Sequence, residues 1–315
     1  MAGVSPMTVT QSEKFLESFT NELKRRHALP KKIEISRLGN AVLASAFDEE
    51  PEETISESVF CGMDPDPSVA VIKALVERCE RNAFRSGHES GSPFCMTDRS
   101  DGFAAFPVGA AQNAESIARC NAFHEAIERY VWAKWWDDSS FAHTAIPHTN
   151  FASLGPSLSL IRPIHAITPL DSVYEVHPEI QDHPDLKVVV LFAFMRNGGV
   201  ISGGACEHAS DIDRARFRAL AELSRHALAA HRILADNRST TTFYEKRLMF
   251  FAVDPRGLEL TMKRISAKGT RKVLLPDLEI DEPISHQLDD LVAVHRCLFK
   301  DQPPFVGGTL ERLCL

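Results

Sequence analysis

Several features that would settle a function class at once are missing from this sequence. Its seven cysteines, Cys61, Cys79, Cys95, Cys120, Cys206, Cys297 and Cys314, never come closer together than 16 residues. That spacing excludes a CxxC zinc or redox motif and gives no disulfide framework. Cysteines of this kind are mostly small buried hydrophobes. The longest uninterrupted apolar run, Val188 to Met195, is eight residues, well short of the ~20 needed to span a bilayer as a helix, so no membrane span is expected. The opening MAGVSPMTVTQSEKF has no basic patch leading into an apolar stretch. It therefore does not resemble a secretory signal, and a cytoplasmic location is expected. Positive charge is in deficit, with 35 Lys and Arg against 43 Asp and Glu for a net charge of -8. A general nucleic-acid binder, which needs attraction to phosphates, is excluded on that ground. The pairs Gly198-Gly199 and Gly203-Gly204 fit neither the Walker nor the Rossmann phosphate loop and read as turns.

What is present is a chain of 315 residues, 44% hydrophobic and 25% charged. This composition belongs to a folded globular protein with one large unit or roughly two domains. Phe15, Leu16, Phe19 and Leu23 mark an amphipathic helix closed by Pro30, with a strand-like IEISRL after it. The acidic stretch DEEPEETISES at 48–58 reads as an exposed connection. It suggests a division into an N-terminal helix and strand segment, 1–58, and a main domain, 59–315. Long helices are expected from Asp66 to about Phe84, from about Asn113 to Trp136 and from about Asp211 to Ala235. LKVVVLFAFM, residues 186–195, is the clearest strand, and GVISGGA is expected to pair with it as a hairpin. The five prolines between His143 and His183 indicate short strands and turns. Toward the end, KVLLP reads as a strand and HQLDDLVAVHRCLF as a helix. Helices and strands that alternate without regular βαβ spacing indicate a mixed α/β (α+β) architecture.

One pattern recurs. Ala74-Leu75-Val76-Glu77-Arg78-Cys79-Glu80-Arg81 and Ala122-Phe123-His124-Glu125-Ala126-Ile127-Glu128-Arg129 share the form Ala, apolar, any, Glu, any, any, Glu, Arg, and Ala219-Leu220-Ala221-Glu222-Leu223-Ser224-Arg225 is a weaker copy. Residues three and four apart are neighbours on a helix, so each of the first two copies places its two carboxylates and an arginine on one face. Two such helices facing each other would gather acids that repel unless a divalent cation lies between them, and hard oxygen ligands suit magnesium. A single copy has a simpler explanation, a solvated helix face with i,i+4 Glu–Arg pairs. In the second helix, however, Trp132 shares the stripe of Asn121, Glu125 and Glu128, which indicates a covered face. A coincidental set of surface-acidic helices would instead leave the pairs exposed and apart.

Ser100-Asp101-Gly102-Phe103-Ala104-Ala105, followed by the Glu125/Glu128/Arg129 helix and Trp135-Trp136, resembles the signature of YcaO-domain proteins. The Gly62 to Arg81 segment is similar to that family's earlier ExxER helix, and Arg218-Ala219-Leu220-Ala221-Glu222 to its later Arg-Ala-Leu-x-Glu helix. The resemblance covers roughly residues 60 to 235. It implies a YcaO-like fold with mixed sheets and ATP-dependent activation of backbone amides in a ribosomally made precursor peptide, giving azolines or thioamides. It also implies ATP and Mg2+ as cofactors. Glu77, Arg129, Arg225 and Asn113 would then hold the nucleotide, and Glu80, Glu125 and Glu128 the metal. No group is singled out as the reacting one.

The chain departs from the family pattern at three places. Ile117 stands where an acid is usual, Arg225 where glutamine is common, and Pro303-Pro304 leads into FVGGTLERLCL in place of a proline-rich tail. The tail leaves thioamide formation in play beside cyclodehydration. Ile117 sustains the rival expectation of a catalytically silent scaffold subunit. No peptide-recognition module is evident before residue 60, so a separate recognition or sulfur-delivery protein is expected, and a homodimer is compatible with the family. Elsewhere, His143 and His148 are five residues apart with Pro147 between them and no nearby acid in sequence, which gives no helical metal site. Ser86, Ser90, Ser92, Cys95 and Ser100 lie in a polar loop that could line a nucleotide pocket, and no GxSxG elbow accompanies them.

Overall fold

The structure is a computed structural model that describes residues 8–48, 59–85, 99, 101–149, 164–166, 168–235, 239–240, 242–304 and 309–312. The acidic 49–58 stretch and the loop bearing Ser86, Ser90, Ser92, Cys95 and Ser100 lie outside the described residues. The architecture is mixed α/β, built on three antiparallel sheets. The first runs β1 (Lys32–Leu38), β2 (Ala41–Phe47), β3 (Val59–Asp64). The second has the order β4 (Gly102–Pro107), β10 (Val292–Phe299), β9 (Leu278–Pro283). The third is a meander of β5 (His143–His148), β6 (Leu170–Pro178), β7 (Leu186–Met195) and β8 (Val200–His208). Parallel pairing among the described residues is confined to two isolated bridges, Phe141 with Arg271 and Ile180 with Val273.

Around the sheets lie α1 (Val9–Arg25), α2 (Pro67–Arg85), α3 (Ala114–Asp137), α4 (Ile212–Ala235), α5 (Phe243–Val253) and α6 (Pro255–Ile265). Their limits follow from local chemistry. Pro67 opens α2, where a missing N–H costs nothing, and the Asp66 carboxylate accepts the Ser68 N–H at 2.8 Å and the Ser12 hydroxyl of α1 at 2.6 Å. Thr242 accepts the Glu245 N–H at 3.1 Å to start α5, and Asp254 accepts the Arg256 N–H at 2.9 Å to start α6. The α1 stripe seats Phe19 and Leu23 in one core with Val71, Leu75 and Phe84 of α2 and Phe60 of β3. A larger core joins α3 and α4 to β6, β7 and β8.

The three long helices and the β7–β8 hairpin agree with the sequence reading, and the hairpin register pairs Phe194 with Val200. The end of the chain differs from it. The expected helix over HQLDDLVAVHRCLF is turn followed by β10, the central strand of its sheet. Val292 and Val294 enter the α2 core while Cys297 and Phe299 enter the α3 core. A strand buried on both faces loses the alternation that would identify it. KVLLP forms no strand beyond the Val273 bridge. The helices α5 and α6 occupy sequence expected to alternate short strands, because Asp254-Pro255 cuts one apolar stretch into two short capped helices.

Three helices approach their strands at glycine. A Cβ on Gly62 would lie 2.1 Å from the Ala70 carbonyl oxygen, one on Gly102 2.3 Å from that of Ala122, and one on Gly203 2.3 Å from that of Ala219. Backbone meets backbone there, so no side chain can move aside. Gly102→Ala is therefore expected to cost about 3 kcal/mol in urea unfolding. Gly198→Ala, at a turn residue with φ +89° and open space around it, should cost only about 1 kcal/mol. Equal losses in the two variants would remove the close-approach argument.

Candidate functional site

Each of the three glycine contacts sits on a strand at a sheet edge, β3, β4 or β8, and each edge strand has an N–H answered by a glutamate. Glu77 of α2 accepts the Cys61 N–H, Glu125 of α3 the Phe103 N–H, and Glu222 of α4 the Gly204 N–H, all at 2.6 Å. An edge N–H left open would either be desolvated without a partner or invite another strand. The carboxylate closes it and in turn is fixed in place.

The same glutamates hold arginines. Arg81 Nη2 donates to Glu77 at 2.7 Å, Arg129 Nη2 donates to Glu125 at 2.8 Å, and Arg225 Nη1 lies 3.7 Å from Glu77. Arg225 also lies in the field of Glu222 and Cys61. A second anchor fixes Arg129, whose Nη1 donates to the Asp101 carbonyl at 2.5 Å. The fully buried Asp101 carboxylate accepts Arg296 Nε of β10 at 2.5 Å. In the sequence Asp101 is only the second residue of the Ser100-Asp101-Gly102-Phe103-Ala104-Ala105 stretch. Its ion pair with Arg296 spans 195 residues, so no local pattern could reveal it.

The second glutamates of the motifs differ. Among the described residues neither Glu80 nor Glu128 forms a hydrogen bond or an ion pair. Glu128 is 7% exposed, backed by the closely packed Trp132 and Gly204. Burial, with Glu222 and Glu125 adding repulsion, pushes its carboxyl up to about 8. Glu80 is partly buried, and burial followed by the charges of Glu125 and Glu77 raises its carboxyl well above the ordinary range. Burial also raises Glu222, against the pull of Arg225 and the Gly204 N–H. The five carboxylates thus form one mutually interacting cluster drawn from three helices, in which Glu80 and Glu128 have no hydrogen-bonded arginine and feel Arg81, Arg129 and Arg218 only at longer range. An arrangement of this kind accepts a divalent cation through oxygen ligands, with guanidinium groups beside it for an anion.

The structure therefore brings together Glu77, Glu80, Glu125, Glu128, Arg129 and Arg225. It adds Glu222 and Arg81, both members of the repeated motif. Asn113 sits apart. It is the exposed N-cap of α3, twelve residues and hence about 18 Å along the helix from Glu125. Ile117 is partly buried one turn after Asn113 and receives no charged replacement from Glu115, which is exposed. His143 and His148 do not converge on one ligand: His143 Nε2 lies 2.9 Å from the Ile265 carbonyl. His148 meets the fully buried Glu175, which is also bound by His177 and Arg216. Cross-strand pairing supplies the acid that the local sequence lacked.

No family model and no curated protein sequence matches the chain. Its fold does match a solved structure, "The structure of YcaO from Methanopyrus kandleri bound with AMPPCP and Mg2+", with a TM-score of 0.58 and 12% identity over 94% of this chain and 92% of that one. The fold is YcaO-like.

The raised carboxyl of Glu128 has a consequence for stability. Its proton is retained in the folded chain up to about pH 8 but lost at about 4.3 when unfolded. The folded state binds more protons between those limits, so Glu128 makes stability fall as pH rises through that window and adds no slope above it. In metal-free buffer, Glu128→Gln should flatten the decline in melting temperature between about pH 5 and pH 8. An unchanged pH profile would mean that Glu128 ionises freely.

Proposed function

We propose that this chain is an ATP- and Mg2+-dependent enzyme that activates backbone amides of a ribosomally made precursor peptide, converting them to azolines or thioamides. The observation that supports this most directly is the pair Glu80 and Glu128, acids withdrawn from solvent without a hydrogen-bonded arginine, beside Glu77 and Glu125, which each have one. A magnesium ion would let both ionise, and Glu125, between them in the cluster, would share it. No helix among the described residues is long and apolar enough to cross a membrane, and action in the cytoplasm is part of the proposal.

The residues fit a nucleotide as well. Arg129 is held by Glu125 and the Asp101 carbonyl, so its guanidinium is oriented before a ligand arrives. Arg225, near Glu77, would meet phosphate oxygens, and Glu77 would fix both Arg81 and Arg225 against the Cys61 N–H. Asn113 would serve a nucleotide only at the far end of α3. Bound together, ATP and magnesium supply a phosphoryl group for the amide oxygen and neutralise the charge that develops in its transfer. The amide carbon then becomes open to a side-chain nucleophile or to sulfide, and phosphate leaves. The nucleotide analogue and Mg2+ named for the Methanopyrus kandleri protein agree with this use of the site. A separate protein that presents the peptide or delivers sulfur, and a homodimeric assembly, complete the proposal.

The hydrophobic Ile117 favours one other reading, a silent scaffold subunit that binds without turnover. Calorimetry of ATP with Mg2+ tests the site. Glu80→Gln and Glu128→Gln, each checked for retained fold, should weaken binding by about tenfold or more, equivalent to ~1.4 kcal/mol. Unchanged binding in both variants would sink the metal assignment. Release of ADP and phosphate on adding a peptide substrate separates the enzyme from the scaffold, which would bind and release nothing.

A further inference from the structure

We propose that Asp281, His295 and Cys297 form a second metal site, for zinc or a similar borderline-soft divalent ion, on the paired strands β9 and β10. His295 and Cys297 are two apart on β10, so their side chains share one face of the strand. The β9 register sets Asp281 directly opposite Cys297. Their ligand atoms all lie within 4.8 Å of one another. His295 Nε2 is 2.8 Å and Cys297 Sγ 3.7 Å from the same Asp281 oxygen, Oδ1. Tetrahedral zinc with nitrogen, oxygen and sulfur donors places its ligand atoms about 3.3–3.6 Å apart, so a small outward shift of His295 would admit the ion.

The donor set argues for the kind of ion. One imidazole, one carboxylate and one thiolate suit zinc, whereas magnesium prefers all-oxygen shells. His295 and Cys297 are buried, at 7% and 0% exposure, and their places are fixed by the central strand. Access is from the Asp281 side, which keeps solvent contact. Arg119 of α3 now binds that carboxylate, through Nε to Oδ1 at 2.9 Å and through Nη2 to Oδ2 at 2.5 Å. Its side chain is 60% exposed. With the ion bound to Oδ1, Arg119 would keep only its Oδ2 contact, the usual place for an outer partner that orients a ligating carboxylate. Binding expels the Cys297 thiol proton to solvent, so affinity rises with pH. A fourth position is left for water or an incoming ligand.

The proposal is independent of the ATP reading and separable from it in one experiment. The full chain, stripped with chelator, is titrated with Co2+ in excess Mg2+ and then with Zn2+. One equivalent of Co2+ should bind with a thiolate-to-metal charge-transfer band and tetrahedral visible bands, displaced by Zn2+ and untouched by Mg2+. Cys297→Ala should abolish the charge-transfer band, and Asp281→Asn, at a partly exposed position, should weaken binding at least tenfold should the buried variant fail to fold. Absence of stoichiometric binding would overturn the site. So would a charge-transfer band that survives Cys297→Ala, or binding unaltered in Asp281→Asn. Glu128→Gln should leave all of these spectra unchanged.

Discussion

The arrangement depends on one contact made three times: a helix backbone pressed onto a glycine of an edge strand, with a glutamate from that helix receiving the strand's outward N–H. Without the glycine the helix cannot approach, and without the approach the carboxylate cannot reach the N–H. Because β3, β4 and β8 each terminate a different sheet, the three helices that seal them bring their acids toward a common region. Glu222 closes the α4 edge, and in the α2 and α3 motifs the first glutamate both closes an edge and holds an arginine. The second is left facing the others. Structural necessity and binding capacity are thus divided between residues three apart on the same helix turn.

This division sets Glu80 and Glu128 apart from the acids beside them. Glu77 and Glu125 each receive a backbone N–H and an arginine. Glu80 and Glu128 receive neither and are raised by burial and by their neighbours. A buried charge without a partner is costly, so an arrangement of this type is stable when the acids hold protons or when a cation replaces them. The cluster is therefore a place where cation and proton compete.

The sequence disclosed the helices of the site because their pattern repeats with the period of an α-helix and because Trp132 lay on the acidic stripe. Trp132 is fully buried, so that stripe is covered. The YcaO-like fold was legible for the same reason, through short motifs in a fixed order. What was not legible depends on partners far away in the chain. Asp101 matters through Arg296, and Glu175 collects two histidines and an arginine from β5, β6 and α4. The β10 strand was misread because both of its faces are buried, and α5 and α6 because a single proline divides them. Asn113 shared the family pattern but lies at the start of α3, away from the carboxylates.

Glu77 and Glu222 are separated by 145 residues of sequence, and the Arg296 link to the site is made more than 70 residues later still. The carboxylate cluster consequently has a high contact order, and its full repulsion is encountered only after three separate helix-on-strand units have formed and docked. No single helix carries the cluster. During synthesis the acids on α2 and α3 emerge with their own edge strands, each able to find its local N–H and arginine before the third helix exists. The mutual approach of the acids is therefore a late folding event, at the stage when ions present in the surroundings can first influence which compact state the chain adopts.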